Sequence, residues 1–295
     1  MGVLAKLKKL FGSNKKRSNL PRVDIKKRFG ELVPTGQGSM SKVFKTRDMG
    51  RMLCLKVLDK SKTAKFEARF VGLERPIEGA VCAAMKHKNI VQTFEYGLTF
   101  QGEQFILFEL IDGVGLNYMI ENRKLTSDKL KIDLLVQAAD GIEYIHKQGY
   151  LHRDICPRNM MVTNDGILKI IDFGLAIPYK PDFCRPGNRT GTPDYMAPEL
   201  IKRQRTDHRV DMFALGVTAY EMFTNTFPWE RSQSIQTLQD HVNLNGRDPR
   251  DWRKDLPAPI AEFLIKAIQR EPSQRWQNPG EFREGIKALT KAVKA

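Results

Sequence analysis

The sequence predicts an α+β protein in which strands crowd the first third and helices fill the rest. Three observations carry this reading. Short β-rich runs, several bounded by Gly or Asn, recur between Phe29 and Phe108. From Leu125 onward apolar residues fall at helical spacing. The composition, 41% apolar and 28% charged over 295 residues, is that of a globular chain long enough for one large core or two lobes around a cleft.

Strands are expected over Glu31–Val33, Lys42–Thr46, Met52–Leu58, Val91–Tyr96 and Gln104–Phe108. One helical stretch, about Arg75 to Lys86, interrupts them, with Pro76 suited to its first turn. Later helices are expected over Ser127–Gln148, Asp211–Phe223, Pro259–Arg270 and Pro279–Val293. No internal repeat is visible.

The formal charge is +15, yet residues 1–28 alone hold ten Lys and Arg against the single Asp24. The basic character is concentrated in a tail, residues 1–22, so the folded part is not expected to bind nucleic acid. Ser13 to Pro21 reads as a linker. Before it, Val3, Leu4, Leu7, Leu10 and Phe11 share one side of a helical wheel and Lys6, Lys8 and Lys9 the other. Lysines break every apolar run, which excludes a secretory signal, and Lys6 stands where myristoylation wants Ser or Thr. Two readings stay open: a solvated leader, or a helix on an anionic membrane surface or acidic partner. No segment is long enough to span a bilayer. The four cysteines form no CxxC pair, which argues against a zinc site or disulfide framework and for a reducing cytoplasm, with peripheral membrane attachment as the tail's variant. Oligomeric state is not legible.

The most informative stretch is His152-Arg153-Asp154-Ile155-Cys156-Pro157-Arg158-Asn159. It places a carboxylate, two guanidiniums and an amide on one short segment between partly apolar flanks. That suits a rigidly held loop and phosphoryl transfer, which needs positioning and charge neutralisation more than covalent help. Cys156 is odd, because a lysine would be the easier choice there.

Other motifs flank it in order. Thr35-Gly36-Gln37-Gly38-Ser39-Met40-Ser41-Lys42-Val43 lies between strands, where glycines let backbone N–H groups approach phosphate oxygens; a plain hairpin turn would look similar. Lys56 is the one cation in an apolar strand, where an unpaired ammonium is costly, so a phosphate and a carboxylate are expected as partners. Glu78 is the first choice of carboxylate and Glu74 the alternate. Asp172-Phe173-Gly174 follows the run Leu168–Ile171; Asp172 either caps a turn or, with Asn159, holds Mg²⁺ through hard oxygens. Further on stands Gly191-Thr192-Pro193-Asp194-Tyr195-Met196-Ala197-Pro198-Glu199.

In this order and spacing the series resembles the eukaryotic-type Ser/Thr protein kinase family, from about Arg28 to Ala292. The resemblance implies a two-lobed kinase-like fold, an N-lobe of about 28–110 and a C-lobe of about 111–292, with an ATP cleft between. It implies that Gly36 and Gly38 cover the ATP phosphates, that Lys56 contacts the α/β-phosphates and that Glu78 pairs with Lys56. Asp154 would orient the substrate hydroxyl, and Asn159 and Asp172 would bind Mg²⁺. Val43, Cys54 and Met161 would sandwich the adenine, with Phe108 as a bulky gatekeeper before the hinge that starts at Glu109. Asp211 resembles the anchor beneath the catalytic loop, and Glu199 with Arg275 a bracing ion pair.

Two departures matter. Ser/Thr-directed members usually carry Lys two residues after the catalytic Asp, and here that position is Cys156. Tyrosine-directed members often place Arg four residues after it, the position of Arg158, which is therefore expected to take the cationic role; a solvated surface arginine is the alternative. Thr192, in a loop of the Ser/Thr type, is expected to bond Asp154, which implies protein substrates with Ser or Thr acceptors. Arg153 usually accompanies activation-loop phosphorylation. Thr190 is the Ser/Thr acceptor between Gly174 and Gly191, although a constitutively ordered loop fits equally. Cys156 is either a space-filling residue or a redox-sensitive thiol helped by neighbouring arginines. A pseudokinase scaffold is the alternative function.

Overall fold

The computed structural model describes residues 20–37, 40–230 and 234–293. The amphipathic tail and Gly38 lie outside the described residues. The chain divides into two compact units, one of residues up to Lys86 plus Val91–Ile111, the other of His87–Ile90 plus Asp112 onward. The first is strand-rich and the second helical, so the α+β expectation holds.

The first unit is a six-stranded sheet ordered β1-β5-β6-β4-β3-β2. Its strands are β1 (Arg22–Val23), β2 (Val33–Gln37), β3 (Ser41–Asp48), β4 (Arg51–Leu58), β5 (Thr93–Thr99) and β6 (Gln104–Glu109). Only the β1–β5 pair is parallel. The β3–β4 hairpin turns through Met49 and Gly50, both at positive φ (44° and 80°), the twist that a two-residue loop between antiparallel strands demands. Pro34, which cannot donate to a ladder, sits on the edge strand beside a bulge between Pro34 and Gly36.

Strand alternation sets the chemistry. Leu53, Leu55 and Val57 of β4 and Phe105 and Leu107 of β6 point into one core with Phe29. The intervening residues Cys54, Lys56, Ile106 and Phe108 share the opposite face, and Val43 of β3 pairs directly with Lys56 there.

Among the described residues three α-helices belong to this unit: α1 (Ile25–Phe29), α2 (Lys60–Glu67) and α3 (Glu78–Ala84). Asp24 and Asp59 cap the first two, accepting the N–H groups of Lys27 and Lys62 at 3.1 and 2.8 Å. Neither was expected: α2 buries only Phe66 and so has no apolar stripe to betray it. The helix expected over 75–86 is shorter, and Pro76 precedes it rather than opening its first turn. Gly79 explains the start point, because a Cβ there would lie 2.5 Å from Tyr96 Cβ, so this turn is pressed onto β5.

The second unit is built on α5 (Asp128–Lys147) and α7 (Arg209–Thr224), after α4 (Leu116–Glu121) and α6 (Pro198–Ile201). Ser127 caps α5 by accepting Leu130 N–H at 3.2 Å. In α7 nearly every residue is buried, the signature of a central helix covered on all sides. Gly216 lets α7 approach α9 (Ala258–Ala267) closely, since a Cβ would meet Ala267 O at 2.7 Å. Helices α8 (Ser234–Asn243) and α10 (Pro279–Val293) complete the unit, α8 unforeseen from sequence. Two small sheets carry the loops of interest: β7 (Gly113–Gly115), β9 (Met160–Thr163) and β10 (Leu168–Ile170) form one, β8 (Tyr150–Leu151) and β11 (Ile177–Pro178) the other. Among the described residues no helix is long and apolar enough to cross a membrane.

Candidate active site

The segment 152–159 leaves β8, makes a 3₁₀ turn over Pro157–Asn159 and enters β9. Leu151, Ile155 and Met160 are buried and hold its ends in the core. Its backbone is pinned from α7: Asp211, fully buried, accepts the N–H of His152 at 2.9 Å through Oδ2 and that of Arg153 at 2.8 Å through Oδ1. His146 Nε2 lies 2.8 Å from the same Oδ2. Burial works to raise the Asp211 carboxyl, but the His146 bond and the charges beside it hold it below the ordinary carboxylate value. The pinning tolerates strain, since Arg153 adopts φ 66°, a left-handed conformation unfavourable for a long side chain.

On this base Asp154 is oriented by donors on both oxygens. Thr192 gives Oδ1 its backbone N–H at 2.8 Å and its hydroxyl at 2.7 Å. Asn159 Nδ2 donates to Oδ2 and to the Asp154 carbonyl, both at 2.8 Å. The amide nitrogen of Asn159 is thus committed, leaving its carbonyl oxygen as the group for a cation. Asp172 is in the left-handed region at φ 65°, and its Oδ1 accepts Gly174 N–H at 2.9 Å. Phe173 is fully buried with its ring 5.1 Å from that of His152, which fixes the turn carrying Asp172.

Cys156 is buried, and its Sγ lies 3.9 Å from Thr192 Oγ1. Burial, with Asp154 adding to it, pushes the thiol up to about 12. Burial therefore favours the space-filling reading of Cys156 over the redox-sensitive one. Arg158 is exposed, and its side chain has no hydrogen bond or ion pair among the described residues. Thr190 is buried, and the one buried guanidinium nearby, Arg153, donates to Asn188 O at 2.7 Å.

In the strand-rich unit Lys56 Nζ lies 2.7 Å from Glu78 Oε1, both side chains buried. Among the described residues Glu74 makes no ion pair. Gly36 pairs with Val43 in the β2–β3 ladder, and Cys54 faces Phe108 across β4–β6. Glu109 accepts Gln92 N–H at 2.8 Å. Met161 belongs to the other unit, in β9.

Glu199 and Arg275 form a two-pronged pair at 2.8 and 2.8 Å, with Arg275 almost wholly enclosed. Three supports escaped the sequence reading. Besides His146, Tyr195 gives its hydroxyl to Glu221 at 2.5 Å, and His241 Nδ1 lies 2.8 Å from Met196 O. A histidine in the last turn of α5, six residues before the loop, was the visible signal for the first.

Burial holds His87, His152 and His241 below the ordinary histidine value, against carboxylates that oppose it at each. These rings are neutral when folded but take up protons when unfolded once the pH drops below about 6.5. Their contribution is complete above that pH and shrinks below it. Urea unfolding should show stability falling between pH 7.5 and 5.5; an unchanged midpoint would contradict this.

Residues 29–284 match the protein kinase domain family, and the chain belongs to that family. It is 27% identical over 269 residues to a probable serine/threonine-protein kinase of Clostridium perfringens, covering 90% of this chain and 38% of that protein. A serine/threonine-protein kinase of Corynebacterium efficiens is 31% identical over 266 residues, covering 86% and 49%. The serine/threonine-protein kinase PknB of Mycobacterium tuberculosis is 29% identical over 271 residues, covering 87% and 42%. The chain thus spans less than half the length of these relatives.

Proposed function

We propose that this chain transfers the γ-phosphate of ATP to Ser or Thr hydroxyls of proteins. The observation that carries the reading is the Asp154 carboxylate, held by Thr192 and Asn159 on a pinned backbone. In this role Asp154 orients the acceptor hydroxyl and receives its proton as the new P–O bond forms and the bond to the leaving ADP breaks. Lys56, fixed by Glu78, serves the α/β-phosphates. Gly36 and Gly38 serve the phosphates, and Val43, Cys54, Phe108 and Glu109 the adenine.

The donor set suits Mg²⁺. Asn159 and Asp172 offer hard oxygens, and among the described residues no group of three or more His, Cys, Asp or Glu forms an all-protein cage. Mg²⁺ commonly takes one or two protein groups and completes its shell with phosphate oxygens and water. Bound there, it would neutralise charge on the phosphates.

Arg158 supplies the cation that Cys156 cannot. Its exposed side chain is uncommitted, and a guanidinium fork reaches phosphate oxygens from further away than an ammonium. Arg158→Ala should lower kcat about 10- to 100-fold, one or two hydrogen-bonded charges' worth, with little change in thermal midpoint. An unaltered kcat would return Arg158 to the solvent.

The buried Thr190 and the Arg153–Asn188 bond favour a loop that is ordered without modification. The assay is γ-phosphate transfer to a generic basic protein, followed by phosphoamino-acid analysis. Phosphoserine and phosphothreonine are expected, from enzyme whose Thr190 is unmodified by mass spectrometry. Phosphotyrosine as the main product would overturn the acceptor class, and nucleotide binding without transfer would favour a scaffold.

A further inference from the structure

Beside Thr192 the helical unit carries a concentration of charge that its own ion pairs do not absorb. Lys180, Arg185, Arg189, Lys202, Arg203 and Arg205 are all exposed. They come from two segments that the backbone ties together: Thr206 N–H donates to Cys184 O at 3.0 Å and Gly187 N–H to Arg203 O at 3.2 Å. Of the nearby acids, Asp182 offsets Arg185 alone, and Asp207 is spent on Arg209 at 2.7 Å. Lys180, Arg189, Lys202, Arg203 and Arg205 have no ion-pair partner among the described residues. Crowding uncompensated cations costs folding stability, and the local structure gives nothing in return.

We propose that this surface docks Asp- and Glu-rich sequence flanking the acceptor residue of the substrate. The inference rests on the kinase reading above and names its substrate class. One of the two segments runs without interruption from Arg185 through Arg189 to Thr192, whose N–H and hydroxyl bond Asp154. Arg189 stands three residues before Thr192, so a polypeptide presenting a hydroxyl to Asp154 comes within reach of that end of the charged surface, whereas a flat anionic surface need not. Carboxylates fit better than one phosphate group. A phosphate wants several donors converging on one point, while these cations are spread along two strands of chain, matching a run of single charges. Exposed pairs of this kind are individually weak and salt-screened, so the preference should be cumulative and ionic-strength dependent.

The test measures kcat/KM of the full chain on three peptides with one acceptor, flanked by Glu/Asp, by Gln/Asn or by Lys. Wild type should favour the acidic peptide over the neutral one about tenfold at low salt, and less at 0.5 M NaCl. Lys202→Glu with Arg205→Glu should bring that ratio to within about twofold and leave turnover of the neutral peptide unchanged. Equal use of all three peptides, or a preference that survives charge reversal, would overturn the proposal. So would a preference confined to a phosphoserine-flanked peptide, or loss of phosphatidylserine-vesicle binding in the variant with peptide preference intact. Turnover of the neutral peptide reads the kinase assignment separately. If no peptide is turned over, fluorescence anisotropy of a labelled Glu-rich peptide still reads the surface: weaker binding by the variant supports docking, and equal binding overturns it.

Discussion

Asp154→Asn is expected to lower kcat by about 10²- to 10⁴-fold, some 3–5 kcal/mol of transition-state stabilisation, while the protein remains folded. The substitution keeps the shape and removes the proton acceptor. It also disturbs local hydrogen bonding in a defined way. Thr192 donates twice to Oδ1 and Asn159 donates to Oδ2, so a carboxylate satisfies both. A carboxamide has one acceptor oxygen; if that faces Thr192, its NH₂ faces the NH₂ of Asn159. The clash falls on Asn159, proposed above to hold Mg²⁺, so a modest rise in KM for ATP should accompany the fall in kcat. Steady-state phosphate transfer at saturating peptide separates the two. A kcat within threefold of wild type would remove Asp154 from the chemistry.

Much of this site could be read from the chain because its signals are local. Lys56 stood out as one cation in an apolar strand, and the period-2 alternation that made it anomalous also sets it on the face away from the Leu53–Leu55–Val57 core. Glu78 was the better candidate because it lies inside the helix rather than before it. What stayed hidden depends on distance in sequence. Nothing around Arg153 announces φ 66°; the strain is tolerated because Asp211, far along the chain, accepts its N–H. The bond from His146 to Asp211, like that from His241 to Met196 O, joins elements whose packing no periodicity predicts. Helix α2 escaped because its stability comes from the Asp59 cap and one buried Phe66, not from an apolar face. The choice between a space-filling and a redox-sensitive Cys156 stayed open for a related reason: adjacent arginines are visible in sequence, but the burial that pushes the thiol up is not.

The largest structural effect should come from Arg275. Its guanidinium meets both Glu199 oxygens at 2.8 Å, donates to Gln269 O at 2.6 Å and to Arg270 O at 2.7 Å, and lies 4.8 Å from the centre of the Phe213 ring. Arg275→Leu should destabilise the helical unit by about 3–5 kcal/mol, because it leaves the Glu199 carboxylate buried without a counter-charge. Arg275→Lys should recover only part, since an ammonium cannot serve two carboxylate oxygens and two carbonyls in fork geometry. The informative comparison is Glu199→Met combined with Arg275→Leu. If the cost of the single change is the orphaned charge, removing that charge too should restore stability, despite the loss of a second buried partner. Recovery should stop short of wild type, because Gln269 O and Arg270 O still lack their donor, at about 1–3 kcal/mol for each buried acceptor left unpaired. Denaturant unfolding of wild type, Glu199→Met, Arg275→Leu and the double variant measures the coupling directly. A double variant less stable than Arg275→Leu would mean that the pair braces this unit through packing rather than charge.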